Sequence, residues 1–187
     1  MRARQTLPAL PLIWLLSDAR NDAALDRALL RLPRGSGFIF RHYHLPPAAR
    51  RARFATLAAL ARRRSHAVVL AGCMAEARRW DADGAYAAPA GLGAGTGLRL
   101  ATAHSLRELA AARRARADAV LLSPAFPTRS HPGGAALGPL RFRLLAARAG
   151  LPVIALGGMD ERRAHHLRWP RWAAIDGLSH PVHESDS

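Results

Sequence analysis

Short apolar runs closed by turn residues recur along the chain, and the segments between them carry alanine and arginine at helical spacing. The runs PLIWLLSD (11–18), GFIFRHY (37–43), AVVLAG (67–72), GAYA (84–87), RLATAHS (99–105), AVLLSP (119–124), PVIALGG (152–158) and AAIDGLS (173–179) read as eight strands. Most are continuously apolar, which marks strands covered on both faces, as in a parallel sheet. Between them DAALDRALLRL, PPAARRARFATLAALARRR, CMAEARRW, SLRELAAARRARA, LGPLRFRLLAARAG and MDERRAHHLRW suit helices. The fourth connection, residues 88–98, is too rich in glycine for a long one. Alternating strands and helices imply an α/β chain, and eight repeats allow closure. The predicted fold is a small (β/α)8 TIM-type barrel, with an open doubly wound sheet as the alternative. No linker or low-complexity tract divides the 187 residues. One domain over 1–187 is expected, with its core over about 10–179 and frayed segments at 1–8 and 180–187.

In such a barrel the polar groups that follow each strand share one end, where active sites of this fold sit. They are Ser17 and Asp18, Arg41 to His44, Ala71 and Gly72, Tyr86, His104 and Ser105, Ser123 to His131, Gly157 and Gly158, and Asp176 to Ser179. The sixth of these loops, SPAFPTRSHPGG, is stiffened by Pro124, Pro127 and Pro132. Thr128 and Ser130 offer hydroxyls, and Arg129 and His131 add positive charge, so the loop suits a phosphate with little ordering cost. A long connection that uses proline only to limit its freedom is the plainer alternative.

Gly157 and Gly158 end the seventh strand before a helix. Glycine permits close backbone approach and the helix start favours an anion; in barrels the loops after strands seven and eight often hold phosphate. Ser179, after the eighth strand, is expected to complete that cup. Arg41 either grips phosphate in a bidentate contact or neutralises Asp18. His104 is a candidate acid or base, with a hydrogen-bonded structural role as its alternative. His42 and His44 read as residues flanking the strand. His165 and His166, adjacent in a helix, point to different faces and make a poor metal pair.

Composition changes this picture little. The formal net charge is +15, yet all 28 basic residues are arginine and they are spread over every helical segment. That pattern fits proteome-wide codon bias, so no nucleic-acid partner is expected, while attraction for small phosphorylated anions is. The missing lysine excludes a Schiff-base aldolase mechanism. Cys73 is the single cysteine, which rules out an intrachain disulfide framework or thiolate zinc site and fits a reducing cytoplasm. The start, MRARQTLPALPLIWLL, mimics a secretory signal but is interrupted by Pro8 and Pro11, so a buried first strand is expected. No other apolar run approaches the roughly 20 residues of a membrane span. Homo-oligomerisation is left open.

Over residues 101–158 the chain resembles the thiamine-phosphate synthase and TenI family. ATAHSLREL is similar to the family's segment opening the fifth helix, ADAVLLSPAFPTRSHPG to its sixth strand and phosphate loop, and LPVIALGGM to its seventh strand. The resemblance implies a (β/α)8 barrel. For synthases it implies joining an aminopyrimidine pyrophosphate to a thiazole phosphate with magnesium, and for the TenI branch thiazole tautomerisation or regulation. It matches Arg41 to the second-strand arginine, Thr128 and Ser130 to the hydroxyl pair, Gly157 and Gly158 to the phosphate-binding glycines, and Ser179 to the serine of the last loop.

The departures are as informative. The synthase glutamine and lysine of the second strand are Ile39 and Tyr43 here, and the lysine after the hydroxyl pair is His131. The Asn-Asp pair after the third strand is replaced by Ala71 and Gly72, and the later magnesium aspartate falls near Gly91. Magnesium prefers carboxylate oxygen, so no synthase-type magnesium site is expected unless a carboxylate such as Asp18 points there. The histidine that a tautomerase would carry near the sixth strand is replaced by Pro124.

The expectation is a divergent member, in thiamine biosynthesis or salvage, that binds a phosphorylated thiazole-type ligand. Metal-independent proton transfer would use His131 or His104, and residual synthase chemistry would use His131 in place of the lysine. The alternative is a non-catalytic, phosphate-binding or regulatory barrel.

Overall fold

In the computed structural model, which describes residues 9–128 and 135–179, β1 (Ile13–Leu16) pairs in parallel with β2 (Gly37–Phe40) on one side and β8 (Trp172–Ala174) on the other. Between them β3 (Ala67–Ala71), β4 (Gly84–Ala87), β5 (Leu98–Ala103), β6 (Ala119–Leu122) and β7 (Val153–Ala155) follow in chain order, closing a parallel eight-stranded barrel. The helices are α1 (Asp22–Arg31), α2 (Pro47–Arg63), α3 (Met74–Arg79), α4 (Leu106–Arg114), α5 (Gly138–Ala147) and α6 (Glu161–Leu167). The predicted (β/α)8 fold is therefore the observed one. The expected fraying of 1–8 and 180–187 concerns segments outside the described residues, as do Arg129, Ser130 and His131.

Successive strand residues point to opposite faces, which sorts the apolar residues into two cores. Trp14, Leu16, Ile39, Val69, Ala71, Tyr86, Leu98, Leu100, Leu121, Ile154 and Ala173 fill the barrel. Leu15, Phe38, Phe40, Val68, Leu70, Val120, Leu122 and Ala155 face the helices. This two-sided burial is why the strands read as continuous apolar runs. The Trp14 indole occupies the interior beside Gly37, where a Cβ would lie 2.1 Å from the ring. A residue with any side chain there would displace the indole. Helix α2 shows the matching helical logic: Phe54, Leu57, Ala58 and Ala61 recur at i, i+3, i+4 and i+7 and are the residues it buries.

The sequence reading overshoots the C-terminal ends of most strands. β2 was expected to reach residue 43 but ends at Phe40, because His42 takes φ +35 and turns the chain back. β1, β7 and β8 likewise stop before Ser17, Leu156 and Ile175. Apolar or small residues continue past the last ladder bond, so hydrophobicity marks burial there without marking pairing. The glycine-rich fourth connection contains only a 3-10 turn, Pro89–Gly91. Among the described residues no helix is long and apolar enough to cross a membrane.

Candidate functional site

The loops that leave the C-terminal strand ends pack on one another in chain order, and their contacts define the site. Loop six meets loop seven through two backbone bonds, from Ala125 N to Leu156 O (2.8 Å) and from Phe126 N to Gly157 O (3.0 Å). Gly157 has φ +95 and Gly158 φ +60, a region that disfavours side chains. A Cβ on Gly157 would lie 2.8 Å from Pro124 Cα, and one on Gly158 would lie 2.4 Å from Pro127 O. The close approach that these glycines allow is thus first of all to the proline-stiffened loop. Among the described residues their own amides donate to no protein acceptor. Thr128, half-buried, follows in the same loop.

His104 belongs to this group. Its Nδ1 lies 2.8 Å from Ser123 O and 3.2 Å from Ser123 Oγ, one residue before the Pro124 that abuts Gly157. A carbonyl only accepts, so Nδ1 carries the proton and the neutral ring presents Nε2 as a base. His104 is exposed, as a group meeting a ligand must be.

Ser179 sits differently from the expected cup. It is 2% exposed; its hydroxyl donates to Ile175 O (2.6 Å) and accepts from Asn21 Nδ2 (3.0 Å). Asn21 also donates to Leu16 O and Ile175 O, so this cluster ties the eighth loop to the first. The hydroxyl is used inside the fold. Loop eight still borders loop seven, since a Cβ on Gly177 would lie 2.3 Å from Met159 O.

Arg41 lies over the opposite part of the mouth. Its Nη2 is 4.0 Å from Asp18 Oδ2 and its guanidinium lies over the Tyr43 ring at 5.8 Å. Its backbone is fixed by a relay: Arg41 N–H donates to Ser17 Oγ (2.7 Å), the Ser17 hydroxyl faces His42 Nδ1 (2.7 Å), and His42 Nε2 faces Asp22 Oδ1 (2.9 Å). With Asp22 ionised, Nε2–H donates to it and Nδ1 accepts from Ser17. His42 is buried and stacks on Phe40 at 4.7 Å. Burial holds its pKa below the ordinary value, against the opposing pull of Asp22. Burial pushes Asp22 upward, but the bonds from His42 and Arg53 outweigh it and hold the carboxyl below its usual range. His42, read from sequence as merely flanking the strand, is the keystone of this turn.

Beside Gly72, one of the positions that the resemblance matches to the synthase magnesium carboxylates, the chain has an internal ion pair. Glu76 Oε2 lies 2.5 Å from where a Gly72 Cβ would be, and its Oε1 is 3.1 Å from Arg50 Nη1. Arg50 also donates to Ala71 O (2.7 Å) and Arg41 O (3.1 Å). Asp18, the carboxylate considered from sequence, is held instead by Arg20 at 3.0 Å and by Arg41. Among the described residues no three His, Cys, Asp or Glu side chains could hold a metal together. These donors do not fit magnesium: the carboxylate beside Gly72 is a single one, already paired with a guanidinium through Oε1. Neither Arg50 nor Glu76 stood out in the sequence, because an arginine in a helix rich in them carries no signal.

An eight-stranded parallel barrel with a proline-stiffened sixth loop locked onto a glycine pair after β7 is a (β/α)8 barrel of the TIM type. A family model described as thiamine monophosphate synthase (TMP-TENI) matches residues 16–177. The chain belongs to that family. The match extends into the first hundred residues, where sequence reading found agreement mainly in element order. Among solved structures, the chain is similar to a thiamine phosphate pyrophosphorylase from Pyrococcus furiosus, with 21% identity, a TM-score of 0.72, and coverage of 89% of this chain and 85% of that one. It also resembles a mutant of FabK from Thermotoga maritima, with 16% identity, a TM-score of 0.65, and coverage of 90% and 62%. No curated protein matches.

Proposed function

We propose that the chain is a divergent member of its family, in thiamine biosynthesis or salvage in the cytoplasm, and that it binds a phosphorylated thiazole-type ligand at the C-terminal mouth of the barrel. The observation that carries this reading is the locking of loop six, which leads to Thr128 and whose Ser123 holds His104, onto the loop of Gly157 and Gly158. Amides that have no acceptor among the described residues, in a turn at positive φ that leads into a helix, are suited to phosphate oxygens. Ser130, Arg129 and His131 belong to the same loop and would meet the same anion. Arg41 would face the reacting or second-phosphate end across the mouth.

The chemistry proposed is proton transfer without a metal. His104 Nε2, or His131, would take a proton from the ring and return it at another atom, as tautomerisation requires. Magnesium chemistry is not assigned, and the Arg50–Glu76 pair beside Gly72 supports that reading. Residual synthase activity would need His131 to serve for the lysine. The reading that favours binding alone draws on the same pair: a phosphate cup without synthase-type magnesium ligands would bind its ligand and not turn it over.

Calorimetry with thiazole phosphate and turnover with both thiamine precursors, each with and without magnesium, separate these. Saturable binding with metal-independent turnover supports catalysis, and binding without turnover supports the regulatory alternative. Product formation stimulated by magnesium contradicts the metal assignment.

A further inference from the structure

Tyr86 lies one residue before the end of β4 on the inward face, in the layer that also holds Ile39, Val69, Ala71 and Leu100. It pairs with Ala71 on one side and Leu100 on the other. Its residue exposure is 8%, yet among the described residues its hydroxyl makes no hydrogen bond. The sealed, unpartnered side-chain atoms among those residues are Arg64 Nε, His66 Nδ1, Arg99 Nε and Arg171 Nε. The Tyr86 oxygen is not one of them, so the accessible part of this side chain includes its hydroxyl. At the C-terminal end of an interior strand position, that accessible surface is the barrel mouth. A phenol that gives up most of its solvation without gaining a partner is destabilising unless something else bonds it.

Its neighbours restrict what that something can be. Below lies an apolar layer that would strip a hydrated ion without compensation. Burial pushes the phenol to about 12, with Arg41 opposing and Tyr43 adding to the rise, so at neutral pH it donates and does not act as a base. The Arg41 charge close by disfavours a cation. A flat, largely apolar ring with one neutral acceptor meets each of these conditions. Thr102, inward-facing on β5 and without a side-chain partner among the described residues, is a second hydroxyl on the same wall.

We propose that the Tyr86 hydroxyl is a specificity-determining hydrogen-bond donor to a neutral ring acceptor of a heteroaromatic ligand seated at the barrel mouth beside Arg41. This rests on the reading that heteroaromatic phosphates enter here, but it concerns the ring and not the phosphate. The two ring types that the family implies share this chemistry, and phosphate-free probes distinguish them.

The test compares wild type and Tyr86→Phe, which keeps the ring that fills the layer, by calorimetry with hydroxyethyl-methylthiazole, with hydroxymethyl-aminopyrimidine, and with inorganic phosphate. One ring alcohol is expected to lose about tenfold in affinity in the variant, with inorganic phosphate unaffected. Its carbocyclic analogue, lacking the ring nitrogen, should bind both proteins alike. The proposal is overturned if both ring alcohols bind the two proteins equally, or bind neither. If inorganic phosphate fails to bind while ring affinity still depends on Tyr86, the assignment of Tyr86 stands and the phosphate cup falls.

Discussion

Arg50 bridges the ends of two barrel strands from a helix, and replacing it by methionine probes whether that bridge shapes the mouth. The guanidinium donates to two carbonyls, Arg41 O and Ala71 O, pairs with Glu76, and lies 5.0 Å over the Trp80 ring. A bond to a carbonyl contributes roughly 1 kcal/mol net, and a cation–π contact at a partly exposed site about 0.5–1 kcal/mol. The ion pair is discounted to about 0.2–0.5 kcal/mol because Glu76 keeps some contact with water. Together these give roughly 3 kcal/mol. In a chain of this size each kcal/mol moves Tm by roughly 2–4 °C, so Arg50→Met should lower Tm by about 6–12 °C in a circular-dichroism melt. Adding Glu76→Gln should return about a third of the loss, because the variant otherwise leaves a carboxylate facing carbonyl oxygens. Magnesium should raise the Tm of Arg50→Met more than that of wild type, since Glu76 becomes available. A shift of less than about 2 °C, or no recovery in the double variant, would refute the bridge.

Three further outcomes follow from the same geometry. Gly157→Ala places a methyl 2.8 Å from Pro124 Cα at φ +95, whereas Gly35→Ala, at φ +75 with nothing within 4 Å, carries only the backbone penalty. Gly157→Ala should therefore cost roughly 1–3 kcal/mol more than Gly35→Ala in denaturant unfolding, the added part being overlap with loop six. Stability should fall with pH in two windows. His42 and His66 are held below their ordinary 6.5, chiefly by burial, so the unfolded chain takes up protons first and stability is lost as pH drops below that value. Asp22, held below 3.8 despite its burial, adds a second loss as pH falls through the acid range, and His42→Asn should flatten the first window in melts run from pH 7 to 5. The same variant should leave Arg41 less fixed, seen as weaker binding of a diphosphorylated ligand with binding of inorganic phosphate at loop seven unchanged.

Element order was legible because each strand is buried on both faces, so β1 to β8 all surfaced as apolar runs. Strand ends were not, for a reason visible at His42: a non-glycine residue at positive φ has no sequence signature, and the turn it makes is fixed by Ser17 and Asp22, which lie 25 and 20 residues away. Gly157 and Gly158 were found correctly as a special backbone site. Their tightest contact, Pro124 and Pro127, could not be read without knowing that loops six and seven touch. Ser179 was placed near the right loop, but the partner that engages its hydroxyl, Asn21, is 158 residues away. Thr102 could have been found, since Leu98, Leu100 and Thr102 alternate along β5 and the inward face continues through all three. Arg50 and Glu76 could not, because only the superposition of α2, α3 and the third loop brings them together.

The most direct examination of the proposed phosphate cup is a nitrogen-15 NMR titration with thiazole phosphate, following the backbone amides of Gly157 and Gly158. The account predicts saturable shifts at both glycines, joined by Thr128 and His104, with affinity falling as salt screens the anion. Shifts confined to the opposite end of the barrel, or none at these glycines while the ligand binds, would contradict it.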